Sequence, residues 1–156
     1  MRLTLVAVGK LAEPFSREGC DFFAERIRRY APFSLVVVPE ERISSRGKRE
    51  YILKQEGRRI GEKIRPGVFT TVVDERGKSL SSEAFAHLLE TWSNSGLKDV
   101  FFILGGPYGL DDSLREKADF CLSLSSMTLT HGLARMLLLE QLYRAFTILR
   151  GEPYHK

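Results

Sequence analysis

Short runs of β-branched and aromatic residues alternate along this chain with stretches in which apolar residues recur at helical spacing. The runs lie at residues 3–8, 34–38, 68–73, 100–104 and, more weakly, 120–125. The helical stretches lie at residues 14–30, 45–63, 81–94, 111–118 and 132–149. Strands that alternate with helices predict an α/β domain with a mostly parallel sheet flanked by helices. Because the chain has 156 residues and no linker-like segment, residues 1–156 are predicted to form a single domain.

The apolar residues of two helical stretches predict how those helices pack. Within residues 14–30, one stripe that we expect to face the core holds Phe15, Phe22, Phe23, Ile27 and Tyr30. Residues 132–149 are apolar nearly all round, whereas a surface helix of a small domain carries one apolar stripe. This helix is either fully enclosed or packed by its second face on another subunit. We favour the second arrangement, which predicts a homodimer.

Positive charge is concentrated in one segment, residues 42–65. The whole chain has a formal net charge of +4, and this segment alone holds nine Lys and Arg against three Glu. Such a local field attracts polyanions, although a solvated helix face has the same composition. Ser44, Ser45 and Gly47 would leave the backbone free to follow a phosphate chain. The segment therefore predicts contact with nucleic acid, through the cations Arg46, Lys48 and Arg49.

Several other classes of protein are disfavoured by the sequence. The two cysteines are far apart, and the three histidines have neither HExxH nor HxxxH spacing, so no metal site is predicted. The N-terminal apolar run is too short for a signal peptide, and no apolar run reaches the length of a membrane span. A soluble cytoplasmic protein is the default expectation.

Two glycine-containing segments follow predicted strands. The first, Gly77-Lys78-Ser79, lacks the earlier glycine of a Walker A motif, since position 72 is Val, and Gly77 is predicted to lie in a turn. The second, ILGGPYGLDD at residues 103–112, does not match GxGxxG. It nevertheless lies at the carboxyl end of a strand, where ligands bind in open α/β sheets. Glycine there permits contact between main chain and ligand, although the same residues suit a tight turn.

Residues 122–132, LSLSSMTLTHG, form a third candidate ligand loop. They carry small hydroxyl groups and free main-chain amides but no Lys or Arg. That combination suits a neutral heterocycle such as adenine better than a pyrophosphate. The alternative is a helix N-terminus, with Thr130 as its cap.

The chain ends in RGEPYHK, which contains side chains suited to base stacking and to proton transfer. A terminus that only frays has no need of such side chains. Tyr154 could stack on a base, and His155 is of the residue type that titrates near neutral pH. A frayed end is the more common outcome for a short terminal segment, so this segment alone does not decide between the two.

Four sequence blocks, LVAVGK, LGGPYG, LSLSSMTLTHGLAR and LLLEQLYRAFTILRGEPYHK, closely resemble the large-subunit rRNA methyltransferase H (RlmH) group of the SPOUT superfamily. Their order and spacing agree from residue 2 to residue 156. The resemblance implies an α/β-knot fold, with a trefoil knot within about residues 100–150, and a homodimer. It implies S-adenosylmethionine as cofactor and methylation of N3 of a pseudouridine in helix 69 of 23S rRNA on the assembled ribosome. The alternative is a non-catalytic, ribosome-associated RNA-binding dimer.

The resemblance also assigns residues by position. It implies that the cofactor contacts Val73, Gly105, Leu124, Ser125, Ser126, Met127, Thr128 and Leu129. It places near the active site His131, Arg135, Arg144, Tyr154 and His155. The C-terminal tail is expected to reach the cofactor of the other protomer.

Within that set we assign roles from chemistry. His155 is the first candidate for the general base, and Arg144 or Arg135 would stabilise the oxygen on which negative charge develops. Tyr154 would stack on the base, and His131 is expected to contact RNA. Alternatively, Arg144 only pairs with Glu140 one helical turn earlier.

Overall fold

The computed structural model describes residues 1–42 and 48–156, in which one five-stranded sheet lies between two layers of helices. The strands are β1 (Arg2–Val8), β2 (Phe33–Val38), β3 (Phe69–Ser79), β4 (Asp99–Leu104) and β5 (Phe120–Ser123). The helices are α1 (Pro14–Ile27), α2 (Arg49–Gly61), α3 (Ser82–Asn94), α4 (Asp112–Lys117) and α5 (His131–Leu149). All ten predicted elements are therefore found, and the first three residues of the predicted helix 45–63 lie outside the described residues.

The strands follow the order β2-β1-β4-β3-β5, and every pair of neighbours is parallel. The prediction of an α/β domain with a parallel sheet is confirmed. Parallel neighbours require a crossover connection, and each of the helices α1 to α4 lies in such a connection. All the carboxyl ends of the strands consequently lie at one edge of the sheet.

Both faces of the sheet are covered, as the apolar run at residues 100–104 predicts. On β4, Val100, Phe102 and Leu104 belong to the core formed with α1, α3 and α5. The alternate residues Phe101 and Ile103 belong to a second core formed with α2 and α4. The side chains alternate because successive residues of a strand point to opposite faces.

Gly77 lies inside β3, so its predicted place in a turn is wrong. Val73 pairs with Leu122 of β5, and after a register shift Lys78 pairs with Leu122 again. A Cβ atom on Gly77 would lie 2.6 Å from the main-chain carbonyl carbon of Leu122. Glycine therefore marks an irregular strand against which another backbone packs closely. A glycine in the sequence is compatible both with a turn and with a strand packed closely on another backbone. The sequence does not show which applies to Gly77, because β5, which packs on it, is distant along the chain.

The buried residues of α1 are Ser16, Cys20, Ala24 and Ile27, and the first three of these are small. A Cβ on Gly132 of α5 would lie 3.1 Å from Ser16 Oγ, so the two helices approach closely. The predicted stripe is only partly correct: Ile27 is buried, but Phe15 is 56% exposed and Phe22 is 47% exposed. Small residues at the contact between α1 and α5 let the two helices approach closely. The rings of Phe15 and Phe22 lie outside that contact.

Candidate active site

Three of the predicted cofactor-binding segments meet at the carboxyl edge of the sheet. Val73 pairs with Leu104 on one side and with Leu122 on the other. Gly105 directly follows the end of β4, and Leu124 directly follows the end of β5. Because β3 is the neighbour of both strands, Val73, Gly105 and the start of the loop at residues 124–129 lie close together at this edge, where ligands bind in open α/β sheets.

The loop after β4 folds back tightly on itself. Gly106 and Gly109 form an antiparallel bridge, and the Gly109 N–H donates to the Gly106 oxygen at 3.0 Å. Gly109 has a φ of +94°, which glycine adopts without strain. A Cβ on Gly105 would press into the Gly109 carbonyl oxygen. Glycine at position 105 is thus required by the loop itself.

Helix α2 supports this loop from the other face of the sheet. Arg49 Nη2 donates to the main-chain oxygen of Tyr108 at 3.1 Å. Glu56 is 2% exposed, and its Oε1 accepts a hydrogen bond from the Glu41 N–H at 2.9 Å. Within residues 1–42 and 48–156 its Oε2 has no hydrogen-bond partner, and burial raises the pKa of this carboxyl. A Cβ on Gly106 would lie 3.1 Å from that Oε2, so a buried acid lies directly behind the glycine loop.

The loop after β5 is polar but uncharged. Ser123 Oγ donates to the Ser125 oxygen at 3.1 Å, and the Met127 N–H donates to Ser125 Oγ at 2.9 Å. Leu124 packs against the core, whereas Ser126 and Thr128 are exposed and Met127 is 75% exposed. Thr130 caps α5, accepting from the Leu133 N–H at 3.4 Å, so the helix N-terminus offered as the alternative for this segment is present.

Arg135 lies at the same edge of the sheet but is buried. Its side chain is in the first turns of α5, and the residue is 2% exposed. Its Nη2 donates to the main-chain oxygens of Val8 and Gly9 at 2.8 and 2.9 Å. Burial lowers the pKa of the guanidinium. His131 is the first residue of α5 and is half-buried.

The C-terminal tail folds back on α5 instead of fraying. Gly151 has a φ of +65°, and the Glu152 N–H donates to the Thr147 oxygen at 2.9 Å, which together form a Schellman-type helix end. Tyr154 consequently lies beside α5, where its hydroxyl donates to Glu140 Oε1 at 3.0 Å. The Arg144 guanidinium carbon lies 4.7 Å from the centroid of the Tyr154 ring.

His155 lies between two charged side chains. Its Nε2 is 2.8 Å from Glu83 Oε1, and its Nδ1 is 3.4 Å from Arg144 Nη1. Arg144 also donates from Nε and Nη2 to Glu140 Oε1, at 3.0 and 2.5 Å, so the pairing offered as an alternative role for Arg144 is present. Sequence reasoning missed Glu83, because nothing local links the start of α3 to the tail.

No group of three or more His, Cys, Asp and Glu side chains in the described part of the chain is placed to hold a metal ion. Within the same residues, no helix is both long enough and apolar enough to cross a membrane.

Residues 1–155 match a family model described as a predicted SPOUT methyltransferase. The chain belongs to the SPOUT methyltransferase family. Three similar proteins are named ribosomal RNA large subunit methyltransferase H. That of Syntrophotalea carbinolica is 50% identical over 155 residues, covering 99% of each chain. Those of Carboxydothermus hydrogenoformans and Acetivibrio thermocellus are 44% and 41% identical over 159 residues, covering 100% of each chain.

Solved structures of low sequence identity share the fold. A probable methyltransferase from Bordetella pertussis has a TM-score of 0.56 and 15% identity, covering 92% of this chain and 95% of the other. A probable methylase family protein from Haemophilus influenzae has a TM-score of 0.55 and 12% identity, covering 99% and 70%. The family match and these likenesses agree on a SPOUT methyltransferase fold.

In this SPOUT methyltransferase the residues assigned by resemblance form two separate groups. The first lies at the sheet edge and includes Val73, Gly105, loop 124–129 and Arg135. The second is the tail group, which consists of Arg144, Tyr154 and His155. Arg144 lies about 14 Å further along the α5 axis than Arg135, at 1.5 Å per residue. Among the described residues, no hydrogen bond or ion pair joins the two groups.

The predicted RNA contacts are also dispersed. Lys48 is exposed immediately before α2, whereas Arg49 is tied to the loop after β4. His131 lies at the start of α5. Arg46 lies outside the described residues, so its predicted contact stays a prediction.

Proposed function

We propose that this chain transfers a methyl group from S-adenosylmethionine to N3 of a pseudouridine in helix 69 of 23S rRNA, on the assembled ribosome. The observation that carries the proposal is the meeting of Val73, Gly105 and loop 124–129 at one edge of a SPOUT methyltransferase sheet. The name of the 50% identical relative supports an rRNA substrate. The position within helix 69 rests on the resemblance of the four sequence blocks.

The residues of the loop after β5 fit S-adenosylmethionine chemically. Residues 124–129 contain no charged side chain, so the loop presents hydroxyls and main-chain groups to a neutral adenine and no cation that would repel a sulfonium. When bound, the cofactor supplies a methyl group that is already activated by a positive sulfur and leaves a neutral thioether.

The protein then has to align the reacting atoms, exclude water and remove a proton from the imide N3. His155 takes that proton, since its side chain is of the type that accepts one near neutral pH. Arg144 stabilises the base oxygen on which negative charge develops, and Tyr154 stacks on the base. Arg135 holds the carboxyl end of β1 against α5, through its bonds to Val8 and Gly9.

The separation of the tail group from the cofactor loop within one chain supports a homodimer in which the tail of one protomer completes the site of the other. Exposed apolar side chains on α1 and α5 support the same arrangement. They are Phe15, Phe22 and Leu133, the last being 38% exposed. Burying such side chains between two copies is favourable by roughly 25 cal/mol per Å² of apolar surface. We also propose that residues of about 100–150 form the trefoil knot of this family.

A basic surface on α2 would contact the rRNA backbone. Lys48, Lys54 and Arg58 are exposed, and Tyr51 among them is 53% exposed. Cations bind phosphates irrespective of sequence, and an exposed aromatic ring adds a surface for base stacking. Through Arg49 this surface adjoins the loop after β4. Together with a contact from His131 at the start of α5, these contacts would place the rRNA against the carboxyl edge of the sheet.

Two measurements test the proposed reaction. Calorimetry should detect S-adenosylmethionine binding, and single-turnover methylation of ribosomes lacking the modification should yield a methylated pseudouridine when helix 69 is mapped by mass spectrometry. His155→Ala should lower the single-turnover rate about 10²-fold or more and leave cofactor affinity nearly unchanged, as expected for loss of a general base. Ribosome binding without cofactor binding would support the non-catalytic RNA-binding dimer instead.

A further inference from the structure

The two ring nitrogens of His155 face groups of opposite character. Glu83 Oε1 lies 2.8 Å from Nε2. Arg144 Nη1 lies 3.4 Å from Nδ1. A guanidinium nitrogen can only donate a hydrogen bond, and an ionised carboxylate can only accept one. The neutral imidazole that satisfies both neighbours has its proton on Nε2 and its lone pair on Nδ1.

The carboxylate of Glu83 is fixed as an anion by the start of α3. Glu83 lies in the first turn of the helix, where Ser81 is the N-cap. Hydrogen bonds to its own main-chain N–H, His155 and Ser81, in that order, lower the pKa of Glu83 to about 2. The positive end of a helix also favours a negative side chain in this position.

We propose that Glu83 is a positioning residue for the methyl transfer, holding His155 by Nε2 so that Nδ1 is the nitrogen that removes the proton from the substrate. This inference rests on the proposed function, in which His155 is the base. Glu83 and His155 belong to the same chain, so a tail that serves the partner's site is held from its own protomer.

The proton and electron movements are complete with the groups already named. The proton leaves N3 of the base for Nδ1 of His155, and the electron pair left on N3 forms the bond to the methyl carbon. Bound S-adenosylmethionine would supply that carbon, and the electrons of its carbon–sulfur bond would stay on sulfur as a neutral thioether. His155 becomes an imidazolium whose Nε2–H donates to the Glu83 carboxylate, an arrangement that is stronger than the neutral one.

Arg144 has to leave Nδ1 when the substrate arrives, and its contacts allow this. Glu140 holds the guanidinium through Nε and Nη2, and the Tyr154 ring lies against it, so Nη1 is the donor that faces His155. At 3.4 Å its contact with Nδ1 is long for a hydrogen bond. A small shift of the whole planar guanidinium therefore releases Nδ1 and lets Nη1 donate to a carbonyl oxygen of the substrate.

A double-mutant cycle with single-turnover methylation tests the proposal. Glu83→Ala should lower the rate about three- to tenfold in the wild-type background, a modest effect because the pair is partly exposed to solvent. In a His155→Ala background the same substitution should change the rate less than about twofold, since residues that act through one another are not additive. Glu83→Gln, which keeps an oxygen acceptor for Nε2–H, should retain more activity than Glu83→Ala.

Glu90→Ala supplies a matched control on the same helix. Glu90 is a similarly exposed carboxylate whose Oε2 lies 3.5 Å from Nδ1 of His87. Its removal should leave the rate unchanged, and cofactor affinity should be the same in the wild type and in every variant of this series. Equal losses from Glu83→Ala in both backgrounds, or no loss in the wild-type background, would overturn the positioning role while the methyltransferase proposal stood. An inactive wild-type protein would instead overturn the proposed function itself.

Discussion

The guanidinium of Arg135 donates from Nη2 to the main-chain oxygen of Gly9 across 2.9 Å, beneath the carboxyl end of β1. Arg135 also bonds Val8 and is 2% exposed, so main-chain oxygens, not a carboxylate, compensate its charge. The contact links the first strand of the sheet to the last helix and fixes where α5 begins relative to the candidate site.

Arg135→Met should destabilise the fold by about 1–3 kcal/mol, because the oxygens of Val8 and Gly9 would stay buried without donors. The free energy of unfolding in urea measures this effect. Arg17→Met, on the exposed side of α1, is the control and should change stability by less than about 0.5 kcal/mol. Equal stability of both variants would show that the buried bonds contribute nothing.

Gly105→Ala should weaken S-adenosylmethionine binding about tenfold. The added Cβ would press into the Gly109 oxygen, so the loop after β4 has to shift, at a typical cost for overpacking of about 1–3 kcal/mol. Calorimetric titration with the cofactor measures the change. Gly61→Ala is the control, since a Cβ there meets no atom of the described residues within 4 Å. Unchanged cofactor affinity of Gly105→Ala would show that the loop after β4 is not a closely packed part of the cofactor site.

Gly77→Ala should reduce the free energy of unfolding by about 1–3 kcal/mol. The new Cβ would lie 2.6 Å from the Leu122 carbonyl carbon and 2.7 Å from that of Cys121, and neither backbone atom can move without disturbing β5. Thermal and urea unfolding test this expectation. A variant as stable as the wild type would mean that β3 and β5 separate freely at this point.

Glu56 should make stability depend on pH. Burial raises the pKa of its carboxyl in the folded protein above the ordinary value of 4.5. The folded state therefore keeps this proton at pH values where the unfolded chain has lost it, so stability falls as the pH rises above about 4.5. Glu56→Gln cannot ionise and should therefore be more stable than the wild type at pH 7.

The advantage of Glu56→Gln should shrink as the pH is lowered toward 4, where both states of the wild type hold the proton. Urea unfolding at several pH values measures the difference. Glu25→Gln, an exposed position on α1, should show no such trend. A Glu56→Gln advantage that is constant across this range would contradict the proton linkage.

The sequence determined the elements of this protein and much of its sheet edge. Apolar periodicity is a local property, so it located the strands and helices of the described residues, although not the extension of β3 through Gly77. Glycines and small hydroxyls at strand ends indicated the two loops that meet beside Val73. Resemblance to a family supplied the candidate reactive residues by position, including Arg144 and His155. None of this required knowledge of which segments are neighbours in space.

Only the tertiary structure decided which residues meet across long stretches of chain. Gly77 was expected in a turn, yet it lies in a strand, because the backbone of β5 packs against it. Phe22 shares a helical stripe with Ile27 but lies outside the core, because small residues control the approach of α1 to α5. Glu83 meets His155 only because α3 and α5 pack side by side and Gly151 turns the tail back. Such contacts depend on long-range packing, to which local sequence patterns are insensitive.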